Sequence, residues 1–178
     1  MEFKTKRLYI RPLTIKDKES IFEYRSDSET NKFQGWIPQK IEDVEIFINK
    51  LSDKINIPET WFQFAIIEQK TNLLIGDIGV HFLNTDNQQV EIGCTFKKNA
   101  QGKGYASEAA KKIIDYLFFD LKKHRLFASI DPKNINSIKL VERLGFRMEA
   151  HFIESLFING KWVDDMIYAI LEKEWKND

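Results

Sequence analysis

The chain has 178 residues, a length that suits one domain with a full hydrophobic core. Lys plus Arg and Asp plus Glu each number 27, so the basic excess typical of a nucleic-acid binder is missing. Cys94 is the only cysteine, which excludes an internal disulfide and disfavours a structural zinc site. The sequence has no signal-peptide pattern and no apolar run of about 20 residues, so we expect a cytoplasmic protein without a membrane or metal partner.

The apolar residues change between a period of two and a period of 3.6 along the chain, which separates predicted strands from predicted helices. In chain order the elements are a strand at 7–11, helices after Thr14 and at 41–51, strands at 61–68, 73–83 and 89–96, a helix at 104–119, a strand at 124–130, a helix ending at Gly145, and strands at 148–158 and 161–171. This order predicts a single α/β domain over residues 1–178, with a mixed sheet of about seven strands and four helices.

The segment Gln101-Gly102-Lys103-Gly104-Tyr105-Ala106-Ser107 lies between a predicted strand and the start of an amphipathic helix. Its two glycines allow close backbone approach, and successive N–H groups at a helix start suit a diphosphate. The P-loop run Gly-x-x-x-x-Gly-Lys-[Ser/Thr] does not occur. Position 107 is Ser where the dinucleotide fingerprint needs a third glycine. Taken alone, the glycines are equally compatible with a simple turn.

The spacing Gln101-x-x-Gly104-x-Ala106 resembles the acetyl-CoA pyrophosphate motif, Gln/Arg-x-x-Gly-x-Gly/Ala, of the GNAT N-acetyltransferase superfamily. Further segments resemble other family motifs in the same order: residues 5–13, Glu91-Ile92-Gly93, Asn134-x-x-Ser137, Leu144-Gly145-Phe146 and Asn159-Gly160-Lys161-Trp162-x-Asp164. The branch it resembles is that of the ribosomal-protein alanine and serine N-acetyltransferases, with relatives of unassigned substrate. The resemblance implies a GNAT fold whose sheet splays after its fourth predicted strand, 89–96, and an acyltransferase that uses acetyl-CoA.

The resemblance also implies where acetyl-CoA binds. Pantetheine would pair with the edge of strand 89–96 like an extra strand, the pyrophosphate would bind amides of the glycine segment, and Asn134 would reach the pantetheine arm. Lys139 and the basic run 122–125 are candidates for the 3′-phosphate. The implied cofactor-binding residues are Ile92, Gly93, Cys94, Thr95, Phe96, Gln101, Gly102, Lys103, Gly104, Tyr105, Ala106, Ser107, Asn134 and Ser137.

The implied reaction is direct attack of an amine on the thioester, and an amine that is protonated at pH 7 must first lose a proton. Glu91 is the candidate base, and a solvated or salt-bridged carboxylate is the alternative. Many GNAT enzymes use a Tyr as acid, but Val141 occupies that position here. In the resembled branch the suggested donor is the Ser that corresponds to Ser137, which is also expected to be an N-cap or first-turn residue of a helix, with the cap favoured. Cys94 is expected to be a buried hydrophobe rather than a nucleophile.

The family's acceptor pocket is built from the first two helices, the loop between them and the last hairpin. The matching residues here are Tyr24, Trp36, Trp61, Phe62, Glu154 and Asp164. Aromatic rings beside carboxylates suit a cationic amine, although each ring taken singly is more typical of core packing. A protein N-terminus, a polyamine, an aminoglycoside and a free amino acid all stay open as acceptors, and the protein is expected to be a monomer or homodimer.

A second hypothesis is a non-catalytic acetyl-CoA-binding sensor or partner module. It keeps the glycine segment and predicts no working acid or base. Val141 supports it, whereas Glu91 and Ser137 speak against it. The three histidines have no spacing that indicates a metal site or a triad, so we interpret them as structural: His81, His124 and His151.

Overall fold

The computed structural model describes residues 1–84 and 86–176. The strands are β1 Phe3–Lys4, β2 Leu8–Pro12, β3 Thr60–Glu68, β4 Leu73–Leu83, β5 Gln89–Phe96, β6 Arg125–Ile130, β7 Arg147–Ile158 and β8 Lys161–Leu171. The helices are α1 Lys18–Arg25, α2 Ile41–Asn49, α3 Tyr105–Asp115 and α4 Ile135–Arg143. Within the described ranges, no helix is both long and apolar enough to span a membrane.

The strands form one mixed sheet in the order β1-β2-β3-β4-β5-β6-β8-β7. Only the β5–β6 pair is parallel among the described strands. The predicted α/β class and the four helices are confirmed, and each of the seven predicted strands is present. The eighth strand is β1, which pairs with β2 through Phe3 and Lys4. A strand of two residues is too short to carry a recognisable period.

The sheet opens between β5 and β6, as predicted. Their ladder has only the pairs Gln89↔Arg125, Val90↔Leu126 and Glu91↔Phe127. Beyond it, β5 stays paired with β4 as far as Phe96, and β6 stays paired with β8 as far as Ile130. Residues 92–96 therefore have an edge that faces a gap.

The hydrogen bonds at the two ends of β5 show which backbone groups face this gap. The N–H of Arg125 in β6 donates to the C=O of Gln88, at 3.2 Å, and the N–H of Lys97 donates to β4. Successive residues of a strand point their backbone N–H and C=O groups in opposite directions. The backbone groups of the even-numbered residues of β5 therefore point toward β6. The C=O of Ile92 and both backbone groups of Cys94 therefore point into the gap.

Helices cover both faces of the sheet. The larger buried cluster joins α3 to one face and includes Ile92 and Phe96 of β5. The smaller cluster joins α1 and α2 to the other face. Because side chains alternate along a strand, Glu91, Gly93 and Thr95 lie on this second face. The alternation therefore places the predicted base, Glu91, on the sheet face that α1 and α2 cover, next to the gap.

Candidate active site

The glycine segment has the conformation that a diphosphate site needs. Gly102 and Gly104 have φ of +73° and +80°, which glycine adopts without steric cost. Gly104 is the N-cap of α3, and the side chain of Gln101 folds back to donate to the C=O of Phe96 at 3.0 Å. Within residues 1–84 and 86–176, the N–H groups of 102–107 have no recorded acceptor. These consecutive amides at the positive end of a helix fit a diphosphate.

The N-terminal strands hold this segment in place. Glu108, in the first turn of α3, accepts hydrogen bonds from the Thr5 hydroxyl at 2.6 Å and from the N–H of Arg7 at 2.8 Å. The Arg7 side chain also binds Glu108 and donates to the C=O of Lys103 at 2.9 Å. Partial burial acts to raise the pKa of Glu108, but the bonds from Thr5 and Arg7 lower it below its usual value. Sequence reasoning missed these residues because their partners lie about a hundred positions away.

A cavity of about 520 Å³ lies over the segment and is called the cofactor cavity here. Lys139, one of the candidates for the 3′-phosphate, lines this cavity. The run 122–125 does not line it. Lys123 is only 3% exposed and donates to the C=O of Asn87, and burial lowers the pKa of its amine. Lys123 therefore packs against the chain near Asn87, while Lys122 and His124 of the same run are exposed.

Asn134 and Ser137 lie at the start of α4 and line the cofactor cavity. The prediction that Ser137 caps the helix is wrong. Asn134 is the N-cap, and its Oδ1 accepts from the N–H of Ser137 at 3.2 Å. Ser137 is a first-turn residue that contributes only its backbone to the cap, which leaves its hydroxyl free for other partners.

A second cavity, of about 480 Å³, lies on the α1–α2 face and is called the acceptor cavity here. The two cavities share the lining residues Phe33, Gln34, Cys94, Thr95, Asn134, Ser137 and Leu140. Aromatic rings form much of its wall. Trp36 stacks on Phe47 with ring centroids 4.8 Å apart, and Trp61 stacks on His81 at 4.7 Å. A flat, largely apolar space therefore adjoins the β5 edge.

Only two of the six predicted acceptor residues line this cavity, namely Trp36 and Trp61. Tyr24 and Phe62 are each 4% exposed and belong to the core clusters. Glu154 and Asp164 lie on the exposed β7–β8 hairpin, where Asp164 accepts from the N–H of Glu154 at 2.9 Å. That hydrogen bond, followed by one from His151, lowers the pKa of Asp164. The structure does not bring these four residues to the acceptor cavity.

Glu91 lines the acceptor cavity where β5 and β6 separate, with 26% of its side chain exposed. It is paired across the sheet with His81, whose Nδ1 lies 3.5 Å from Oε2 of the carboxylate. Burial raises the pKa of Glu91; the hydrogen bond with His81 opposes this shift and the charge of Asp165 adds to it. His81 thus contacts the candidate base, a role that sequence reasoning missed. The signal was the β4–β5 turn, which sets the register that places His81 opposite Glu91.

Cys94 and Asp165 complete the surroundings of the gap. Burial, and then the charge of Asp77, raises the pKa of the Cys94 thiol to about 12, so the thiol is protonated at neutral pH and is a poor nucleophile. Asp165 is 8% exposed and accepts from the hydroxyl of Ser129, which lines the acceptor cavity, at 2.7 Å. Within the part of the chain that the structure describes, no group of three or more His, Cys, Asp or Glu is placed to hold a metal ion.

Comparison with known proteins identifies the family. Residues 7–147 match the acetyltransferase (GNAT) domain, and the chain belongs to this family. The uncharacterized N-acetyltransferase YnaD of Bacillus subtilis is 38% identical over 178 residues, which cover 98% of this chain and 99% of YnaD. A crystal structure of a GNAT-family acetyltransferase from Bacillus anthracis is 35% identical with a TM-score of 0.87, covering 98% of this chain and all of that one. The protein is therefore an acyltransferase of the N-acetyltransferase type.

More distant relatives differ in their named acceptors. A spermidine N-acetyltransferase from Vibrio cholerae, crystallised with CoA and spermine, has a TM-score of 0.83 at 23% identity. The match covers 97% of this chain and all of that chain, so the two proteins share the fold. The chain also matches one protein whose name proposes a ribosomal N-acetyltransferase and others named spermidine N(1)-acetyltransferase. Family membership thus gives acetyl transfer from acetyl-CoA and leaves the acceptor to be argued from the site.

Proposed function

We propose that this enzyme transfers the acetyl group of acetyl-CoA to a primary amine by direct attack in a ternary complex. The main support for the proposal is that two cavities meet at the β5–β6 gap. One presents a row of free amides from residues 102–107, and the other presents the carboxylate of Glu91. Amine and cofactor can therefore enter through different cavities and meet beside Cys94.

The chain's backbone would hold the cofactor. Acetyl-CoA, when bound, supplies an acetyl group activated as a thioester. The amides of 102–107 would bind its pyrophosphate, and the C=O of Ile92 with the backbone groups of Cys94 would pair with pantetheine amides. The side-chain oxygen of Asn134 is occupied by the helix cap, so its Nδ2 would be the group that donates to pantetheine.

The side chains at the gap would move protons. Glu91 would take the proton of the attacking amine, a task helped by a pKa raised toward the working pH. The N–H of Cys94, which points into the gap, would donate to the oxygen on which negative charge develops. The hydroxyl of Ser137 would donate a proton to the departing sulfur and recover one from solvent. His81 and Asp165 touch no reacting atom in this scheme and act by setting the proton affinity of Glu91.

The test is incubation of the full chain with acetyl-CoA and a panel of amines, with free thiol as the readout. The panel contains N-terminal peptides, spermidine, an aminoglycoside and free amino acids. We expect thiol release with at least one amine, and saturable binding of acetyl-CoA by calorimetry. Tight binding without turnover across the whole panel would contradict the catalytic proposal and favour the acetyl-CoA sensor. Absence of binding would contradict both.

A further inference from the structure

Three cross-strand pairs lie on the α1–α2 face of β4 and β5, namely His81–Glu91, Gly79–Gly93 and Asp77–Thr95. Four of these residues form the floor of the acceptor cavity: Gly79, Glu91, Gly93 and Thr95. Residues two apart on a strand share a face, so adjacent pairs are separated by about 7 Å and the outer pairs by about 13 Å. The candidate base lies at one end of this floor.

The middle pair, Gly79–Gly93, has no side chains that project from the sheet. A Cβ added to Gly93 would have no heavy atom within 4 Å, so open space lies directly above this residue. A Cβ on Gly79 would lie 3.2 Å from the ring of Trp61 and closer still to Gln63. Neither glycine has φ in the left-handed region, so backbone conformation does not require glycine at either position. The space over Gly79 is therefore filled by Gln63 and Trp61, while the space over Gly93 has room for an apolar group.

The far end of the floor carries hydrogen-bond donors. Asp77 is fully buried and binds Arg25 through Nη2 at 2.5 Å and Nε at 3.2 Å. These two bonds fix the guanidinium, while Nη1 has no recorded partner in the described ranges. Arg25 is 8% exposed and lines the cavity. Lys50, at the end of α2, also lines the cavity and is solvent-exposed, with no ion pair recorded in the part of the chain described.

Among the described residues, four charged side chains line the cavity. Glu91 lies where β5 and β6 separate and Asp131 directly follows the end of β6, while Arg25 ends α1 and Lys50 follows α2. The charge of Arg25 is balanced by Asp77, but a polyamine would place a further positive charge near Lys50, which is unfavourable. An acceptor whose distal group is anionic would meet an uncompensated lysine and the free N–H groups of a fixed guanidinium.

We infer that the acceptor carries a carboxylate besides its amine, with an apolar or aromatic group between them, as in an amino acid or a short peptide. This inference rests on the proposed function and names the substrate class of the same cavity. The outer pairs are about 13 Å apart, so the floor has room for an amine–carboxylate separation of this order. Since each extended residue spans about 3.4 Å, one to three residues fit.

The substrate test compares matched acceptors on the wild-type enzyme. Phenylalanine, Phe-Gly and Phe-Gly-Gly are each assayed as the free acid and as the C-terminal amide, with phenethylamine and spermidine alongside. Because a hydrogen bond to a charged group is a strong one, we expect at least one acid to exceed its amide by about ten- to a hundredfold in kcat/KM. Equal rates for acid and amide in every pair, or preferred turnover of spermidine, would overturn the inference.

The variant test uses the two ends of α2. Lys50→Met should reduce the acid-to-amide ratio by about tenfold, while Lys40→Met, at the N-cap of the same helix and outside both cavities, should leave it unchanged. An unchanged ratio in Lys50→Met would overturn the role of this lysine and with it the inference. Thiol release without acid preference overturns only the inference, whereas absence of acetyl-CoA binding overturns the proposed function itself.

Discussion

The two cavities that meet at the β5–β6 gap are built from different parts of the polypeptide. The cofactor cavity depends on main-chain amides of one continuous segment, 102–107, whose shape is set by two glycines. The acceptor cavity depends on side chains of α1, α2 and the strands β3 to β6. Main-chain amides persist whatever the neighbouring side chains are, whereas a wall of side chains changes with each substitution. This difference explains how members of one family can share a cofactor while they differ in their acceptors.

The largest expected effect separates chemistry from cofactor binding. Glu91→Gln removes the proton acceptor while keeping the shape of the side chain. We expect kcat to fall by about 10²- to 10⁴-fold, the usual contribution of a general base. Calorimetry should give an unchanged Kd for acetyl-CoA, because the glycine segment is untouched. The matched control is Glu154→Gln, a carboxylate of the exposed hairpin, which should keep the wild-type kcat. A normal rate in Glu91→Gln would remove this residue from the chemistry.

The second effect is confined to the cofactor cavity. Gly104→Val puts a branched side chain at φ of +80°, with its Cβ 3.3 Å from the Arg7 guanidinium, so the loop must change shape. We expect acetyl-CoA to bind about 10- to 100-fold more weakly by calorimetry, because hydrogen bonds to a charged phosphate are lost.

The control for backbone strain is Gly160→Val. Gly160 has φ of +79° in the β7–β8 turn, far along the chain from the glycine segment, and carries a similar conformational cost. Both variants should therefore melt at lower temperature, and only Gly104→Val should lose the cofactor. Normal acetyl-CoA affinity in Gly104→Val would mean that the diphosphate binds elsewhere.

Ser137→Ala tests the acid with a smaller expected effect. Since Asn134 caps α4 through the N–H of Ser137, the alanine variant keeps that bond and should keep its Tm. We expect kcat to fall by about tenfold or less, because a thiolate leaves readily without an acid. Asn134→Ala, which removes the cap, should instead destabilise the protein by about 1 kcal/mol. Full activity in Ser137→Ala would limit Ser137 to its structural role.

His81→Phe should move the pH profile more than the maximal rate. Phenylalanine preserves a ring stacked on Trp61 but removes the hydrogen bond that lowers the pKa of Glu91. The base works only when ionised, so activity is lost as pH falls through its pKa. Without His81 that pKa rises further, and the acidic limb of kcat should move to higher pH with the same plateau. A shift to lower pH would contradict the assignment of Glu91 as base.

Prediction from sequence succeeded where the determinants are local. The glycine segment and the β7–β8 hairpin are defined by neighbouring residues, and each takes the expected conformation. The acceptor side was harder, because burial depends on packing between distant elements. Tyr24 is an aromatic residue of the kind expected in a binding site, yet its hydroxyl donates a hydrogen bond to the buried Asp77. Conversely, the contact between His81 and Glu91 follows only from the strand register that the β4–β5 turn sets.

The central claim is that the amides of residues 102–107 hold the diphosphate and direct the thioester into the β5–β6 gap. A crystal structure of the enzyme with CoA tests it most directly. The account predicts pyrophosphate oxygens within about 3 Å of several of these amides, and pantetheine paired with the backbone of Ile92 and Cys94. CoA bound with its diphosphate away from this segment, or a closed β5–β6 edge, would contradict it.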